Sequence, residues 1–292
     1  MDLYKNFQKR FRLLALKRQD LIINTLSNIF TMRLIGNKTH GDLAEIGIAE
    51  FIHQFMYDFK CDHVGKKLYR AKEHEEDIIV TDEITQESIP ISLKAYGEGP
   101  LQLATDKKAQ MFSTLEEYEI EIKEKEVISN IFQSEAFSLL DSVNVMSLIY
   151  KEESTECNIL VFNFDKMKEE THKILFIDKG YSYDKYSHKM VQSKNRKHPI
   201  YVFIDKQGNY ICEVRYGNAE ANALQRGLWT DTKIAYNYFT SLTNGWISYK
   251  HNLTLIELMK LALNSTENGH EEAKNILQAD IENLMQQKLN SF

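Results

Sequence analysis

Apolar residues recur at close to helical spacing through the N-terminal segment: Leu3, Phe7, Phe11 and Leu14, then Leu21, Ile22, Leu26, Ile29 and Phe30. Residues 1–35 are therefore predicted to form a helical hairpin, packed on the domain or used as a dimer contact. A third helix is predicted over 41–58, with Leu43, Ile46, Ala49 or Phe51, and Ile52 at the same spacing. A first strand is expected over Lys66–Ala71. Two short β-branched runs follow, Ile78–Thr81 and Ile89–Leu93, separated by a polar, acidic segment, and these predict a hairpin. Residues 101–150 read as mainly helical, the acidic run from Glu116 to Glu126 being a solvent-facing turn of helix. A strand over Asn158–Phe164, a helix over Asp165–Glu170 and a strand over His172–Asp178 come next. Pro199–Ile204 and Tyr210–Tyr216 flank the turn Lys206-Gln207-Gly208-Asn209 as a second hairpin. Helices from Asn252 to Leu289 close the chain. The expected fold is α/β: a mixed central β-sheet flanked by helices, with helical N- and C-terminal segments, in one compact domain over 1–292.

The first hairpin makes a statement about chemistry. A turn centred near Thr85–Gln86 sets Asp77 opposite Lys94 and Ile79 opposite Ser92. Because strand side chains alternate faces, Asp77, Ser92 and Lys94 then share one face. Asp82, the rival acid, would lie roughly 16 Å from Lys94 at about 3.3 Å per residue and is excluded. Such a group is either an exposed cross-strand ion pair or the start of a divalent-metal hydrolase. In the second case a carboxylate holds Mg²⁺ and the lysine orients water and offsets charge on phosphorus-bound oxygens.

This arrangement resembles the PD-(D/E)XK nuclease superfamily, in which an Asp begins one strand and a (D/E)-x-Lys triplet lies on the next. The triplet here reads Ser92-Leu93-Lys94, so a serine replaces the middle carboxylate, and Glu76 stands where the family has Pro. The glycine-led helix from His40 to Phe51 is similar to the family's glutamate helix. Glu45 matches its inward glutamate, and Glu50 matches the spacing less well. The resemblance implies a restriction-endonuclease-like core over about 40–105. It implies Asp77 and Glu45 as Mg²⁺ ligands, Lys94 as the water-orienting cation and Ser92 near the metal. Gln102, after the exit Tyr96-Gly97-Glu98-Gly99-Pro100, falls where the family carries a phosphate-contacting polar residue.

Charge adds to this picture. The net charge of −6 does not favour nucleic acid, but phosphate binding rewards local cations. Lys5, Lys9, Arg10, Arg12, Lys17 and Arg18 stud the first helix. The segment 185–198 holds Lys185, Lys189, Lys194, Arg196 and Lys197 with no acid among them. A second candidate recognition element, within 215–246, holds Asn222, Gln225, Arg226 and Lys233, with Gln225, Trp229, Thr232 and Lys233 placed to share a helical face. The plain readings are a solvated basic face and a set of core aromatics. The 3 cysteines are far apart, which excludes a zinc ribbon or a disulfide framework and fits a reducing cytoplasm. The N-terminus lacks an apolar signal core and no run approaches a membrane span. No phosphate-binding GxxxxGK[ST] run and no HExxH spacing is present, which leaves a nuclease working on metal and DNA alone.

Within the superfamily the organisation looks most like a type II restriction endonuclease. That implies Mg²⁺-dependent cleavage of double-stranded DNA by a cytoplasmic homodimer, with a cognate methyltransferase in the same system but no stable complex with it. The alternatives are a repair or structure-specific nuclease of the same superfamily and an inactive DNA-binding module.

Overall fold

The computed structural model describes residues 2–35, 40–64, 77–106, 108, 110–215, 226–264 and 267–289. Helices α1 (Leu3–Lys17), α2 (Gln19–Ile35) and α3 (His40–Phe55) precede strands β1 (Phe59–His63), β2 (Ile78–Asp82), β3 (Ser88–Gly97) and β4 (Pro100–Thr105). Next come α4 (Gln110–Glu116), β5 (Glu121–Ile122), α5 (Lys125–Gln133), α6 (Glu135–Ser138), β6 (Val145–Lys151), β7 (Glu156–Phe162) and α7 (Phe164–Glu170). Strands β8 (Lys173–Ile177), β9 (Tyr181–Asp184), β10 (Lys189–Gln192), β11 (Ile200–Ile204), β12 (Tyr210–Arg215), β13 (Gly227–Asp231), β14 (Phe239–Ser241) and β15 (Ile247–Ser248) follow. Helices α8 (Leu253–Asn264) and α9 (Glu267–Leu289) close the chain. The architecture is α/β, with a mixed sheet flanked by helices.

Two large sheets organise the chain. The first runs β1-β2-β3-β6-β7-β14, with β15 also on β7; all its pairings are antiparallel except β3 with β6. One face buries Ile78, Val80, Ile91, Leu93, Met146 and Leu148 against Phe7, Phe11, Ile22, Leu26, Phe51 and Ile52 of α1–α3. Each such large apolar side chain contributes about 1.5–3 kcal/mol on burial. Gly47 lets α3 close on α2, since a Cβ there would stand 2.6 Å from the Ile29 side chain. The second sheet runs β4-β13-β12-β11-β8-β5 and is antiparallel throughout. Its core joins Ile174, Val202, Phe203 and Leu228 to Met111, Phe112, Ile131 and Phe137 from α4–α6. Gly227 (φ 114°) is where β13 meets β4; a Cβ there would lie 2.1 Å from the Ala104 carbonyl oxygen. Strands β9 and β10 form a separate two-stranded ribbon.

Several expectations change. Residues 101–150 are not mainly helical: both ends are strand, and the 116–126 acidic run spans the end of α4, β5 and the start of α5. Trp229, Thr232 and Lys233 do not share a helical face, because Gly227–Asp231 is β13, held between β4 and β12; Gln225, the fourth residue of the expected face, lies outside the described residues. Ile46 is 47 % exposed, and α3 buries Ala44, Ile48 and Ala49 with Phe51 and Ile52. The expected strand at 66–71 lies outside the described residues.

Candidate active site

The hairpin β2–β3 forms, but its register differs from the one expected. Ile78 pairs with Ile91 and Thr81 with Ser88, two residues short of a turn centred at Thr85–Gln86. Asp77 therefore meets Ser92, not Lys94. A shift of two leaves the face unchanged, whereas a shift of one would have turned Asp77 from Ser92 and Lys94. The Asp77 carboxylate accepts hydrogen bonds from the Ser92 hydroxyl at 3.1 Å and the Leu93 N–H at 2.6 Å. The turn explains Asp82: buried, it accepts the N–H groups of Ile84 and Thr85 at 2.8 and 3.1 Å, and Gln86 takes a left-handed φ of 61°. Asp82 thus serves the turn, at the opposite end of the ladder from Asp77 and Ser92.

Two further side chains, Glu45 and His63, lie near Asp77. Glu45, on α3, lies 3.4 Å from His63 Nε2, at the end of β1. His63 pairs with Ile78, which places it one residue from Asp77 across the ladder. Burial pushes the Glu45 carboxyl up from its ordinary range and the Asp77 charge raises it further, while the hydrogen bond to His63 opposes both. Burial likewise raises Asp77, against the Lys94 charge and the hydrogen bonds from Leu93 and Ser92. Two half-buried carboxylates thus repel each other, with Lys94 near Asp77 and His63 near Glu45, and neither is fully compensated.

No protein-family model, no curated protein and no solved structure matches this chain. The site's own geometry therefore carries the functional reading. Among the described residues no group of three His, Cys, Asp or Glu side chains is disposed to hold a metal ion. Mg²⁺ is commonly held by one or two carboxylates with water completing its shell, so Asp77 and Glu45 fit it as a hard-oxygen donor pair with negative charge to offset.

The remaining candidates lie elsewhere. Gln102 sits on β4 of the second sheet, and its amide donates to the Arg226 carbonyl at 2.8 Å. Lys189 and Lys194 are exposed on and just after the ribbon. Arg196 instead faces Glu213 at 3.5 Å, where Arg215 also approaches to 2.6 Å, so its charge is engaged inside the protein. Arg226 directly precedes β13 and Lys233 follows it, exposed; Asn222 and Gln225 lie outside the described residues. Half of the basic residues along the first helix are neutralised: Lys5 pairs with Asp165, Arg10 with Asp58 and Arg18 with Asp20. His63 was not legible as a site residue. It carries no motif, and it arrives beside Glu45 only because β1 pairs with β2.

Proposed function

We propose that the chain is a Mg²⁺-dependent type II site-specific deoxyribonuclease that cleaves double-stranded DNA. The observation supporting this is the meeting of Asp77 with Ser92, Lys94 and Glu45, the last held by His63, so that two under-compensated carboxylates stand near each other and a lysine stands near one of them. Asp77 and Glu45 would hold Mg²⁺, which when bound acts as a Lewis acid on the phosphate and makes water a better nucleophile. Lys94 orients the attacking water and offsets charge growing on the phosphate oxygens. The Ser92 hydroxyl and the Leu93 N–H fix the Asp77 carboxylate, so Ser92 acts through Asp77 and does not replace the missing acid. His63 fixes Glu45 in the same way. We assign a homodimer, since a two-fold protein presents one such site to each strand; exposed Leu277, Ile281 and Met285, one turn apart along α9, support self-association. The protein would act in the cytoplasm, with a cognate methyltransferase protecting host DNA and no stable complex between the two.

A second reading is favoured by one observation: Ser92 donates to Asp77 where the resemblance calls for a carboxylate. That supports a DNA-binding module without activity. Incubating the protein with unmethylated phage-length DNA, in Mg²⁺ and in EDTA, separates the readings. Discrete Mg²⁺-dependent fragments are expected. A smear indicates a repair or structure-specific nuclease, and intact DNA across several metals favours the inactive module.

A further inference from the structure

The ribbon β9–β10 stands apart from both large sheets, and all four residues of β10 are exposed. A lone two-stranded ribbon has too little core to hold itself in water, so its anchoring matters. At its base Tyr183 is buried and its hydroxyl donates to the Gly208 carbonyl at 2.7 Å. The Gly180 N–H donates to Arg196 O at 2.9 Å, and the Ser193 N–H donates to Gly180 O at 2.8 Å. Lys185, at the turn, sits 3.2 Å from Asp231 and 4.0 Å over the Tyr210 ring, while Arg196 reaches Glu213 from the other end. Charged contacts at both ends hold a strand whose own side chains are left to solvent.

Register places Ser182, Asp184, Lys189 and Val191 on one face of the ribbon. Ser182 and Val191 line an open groove of about 360 Å³, with Gly99, Asp231 and Lys233 on its other side. Its acids are engaged: Asp184 accepts the N–H groups of Tyr186 and Ser187, and Asp231 accepts those of Lys233 and Ile234 besides its pairing with Lys185. Lys189, Lys194 and Lys233 make no ion pair among the described residues. Gly99 belongs to the corner between β3 and β4, locked to Thr232 by hydrogen bonds of 2.8 and 2.9 Å. The groove thus begins five residues along the chain from Lys94, within roughly 16 Å at strand spacing.

We propose that β9–β10 is an arm that enters the major groove of duplex DNA, with Lys189 and Val191 toward base edges and Lys194 and Lys233 toward phosphates. The proposal rests on the nuclease reading for its substrate class. The major groove, about 12 Å wide, admits a two-stranded ribbon. A lysine donates to guanine O6 and N7, and an apolar side chain meets the thymine methyl. The unpaired cations supply the charge that the phosphates require.

The test uses the full-length chain carrying Asp77→Asn to select duplexes from a random-sequence pool, in Mg²⁺ and in EDTA. The same protein carrying in addition Lys189→Ala, Val191→Ala or Lys194→Ala is run in parallel, beside wild-type cleavage of phage DNA. All three added positions are exposed, and circular dichroism checks that each variant folds. One enriched sequence is expected. Lys189→Ala should weaken it by roughly tenfold and lose discrimination at one base, leaving a scrambled duplex unaffected. Lys194→Ala should weaken both duplexes alike and reduce the salt slope by about one. If Lys189→Ala and Val191→Ala keep the selected sequence and its affinity, the arm is overturned, and wild-type fragments would still leave the nuclease standing. If Lys189→Ala loses selection but the wild type cuts nothing, the arm stands and the nuclease falls. Enrichment of no sequence overturns the arm.

Discussion

Asp77 and Glu213 are carboxylates on different sheets, kept from water to different degrees and balanced in opposite ways. Burial alone would raise Glu213, which is 2 % exposed, but Arg215, Arg196 and Lys185 surround it and hold its pKa below the ordinary carboxylate value. Asp77 has one nearby lysine and two hydrogen-bond donors, which do not offset its burial, and Glu45 adds a second negative charge. The first arrangement satisfies itself and ties the ribbon and β12 together. The second is left with electrostatic work undone, which is the condition in which a cation or a reacting phosphate group gains most. Burial alone therefore does not mark a functional acid; the balance of charge around it does.

The sharpest way to break this contrast is Glu213→Ala. It should cost about 3–5 kcal/mol in urea unfolding, because two arginines lose their buried counter-charge; a loss under about 1 kcal/mol would show that Glu213 is not the anchor described. Asp77→Asn should leave unfolding within about 1 kcal/mol of wild type while Mg²⁺-dependent cleavage falls on the order of 10²–10³-fold, as when a charge-stabilising group is removed. Equal losses of stability in the two variants would erase the distinction. His63→Ala should weaken Mg²⁺ binding by about 10–100-fold in calorimetry, the usual cost of losing a partner that orients a ligand. The smallest effect is a pair of opposed pH slopes. Glu213's stabilisation is present above its ordinary value of 4.5 and is lost as pH falls through the lowered folded value. Asp77, raised from 3.8, contributes below that value and loses its contribution as pH climbs through the folded value. Melting temperatures should accordingly lose their acid-side fall in Glu213→Gln and lose the opposing slope in Asp77→Asn.

Much of the fold was legible because its signals are local. Helical spacing located α1, α2 and the closing helices, and alternation located both hairpins, including the turn at Lys206–Asn209. The register of β2–β3 was not legible to better than two residues. Asp82 draws the backbone of Ile84 and Thr85 into a tighter turn than the polar spacing between the two strands suggested. Strands β4 and β6 were missed for a different reason. β4 is held by β13, more than 120 residues later in the chain, and β6 by β3 and β7, contacts that leave little periodic mark on a ten-residue window. The helical face expected through Trp229, Thr232 and Lys233 fails because Trp229 lies in β13, where two neighbouring strands decide the matter.

By itself the sequence determined the terminal helices and two of the hairpins, the common face of Asp77, Ser92 and Lys94, and the acid-free basic stretch at 185–198. These follow from side-chain periodicity and charge, which the chain carries wherever it goes. Only the tertiary structure decided that Ser92 serves Asp77, that His63 holds Glu45 and that Arg196 is consumed by Glu213 while Lys189 is left to solvent. Those outcomes depend on which strands become neighbours, and strand partners are selected by burial summed over both sheets, a quantity that no short stretch of sequence contains.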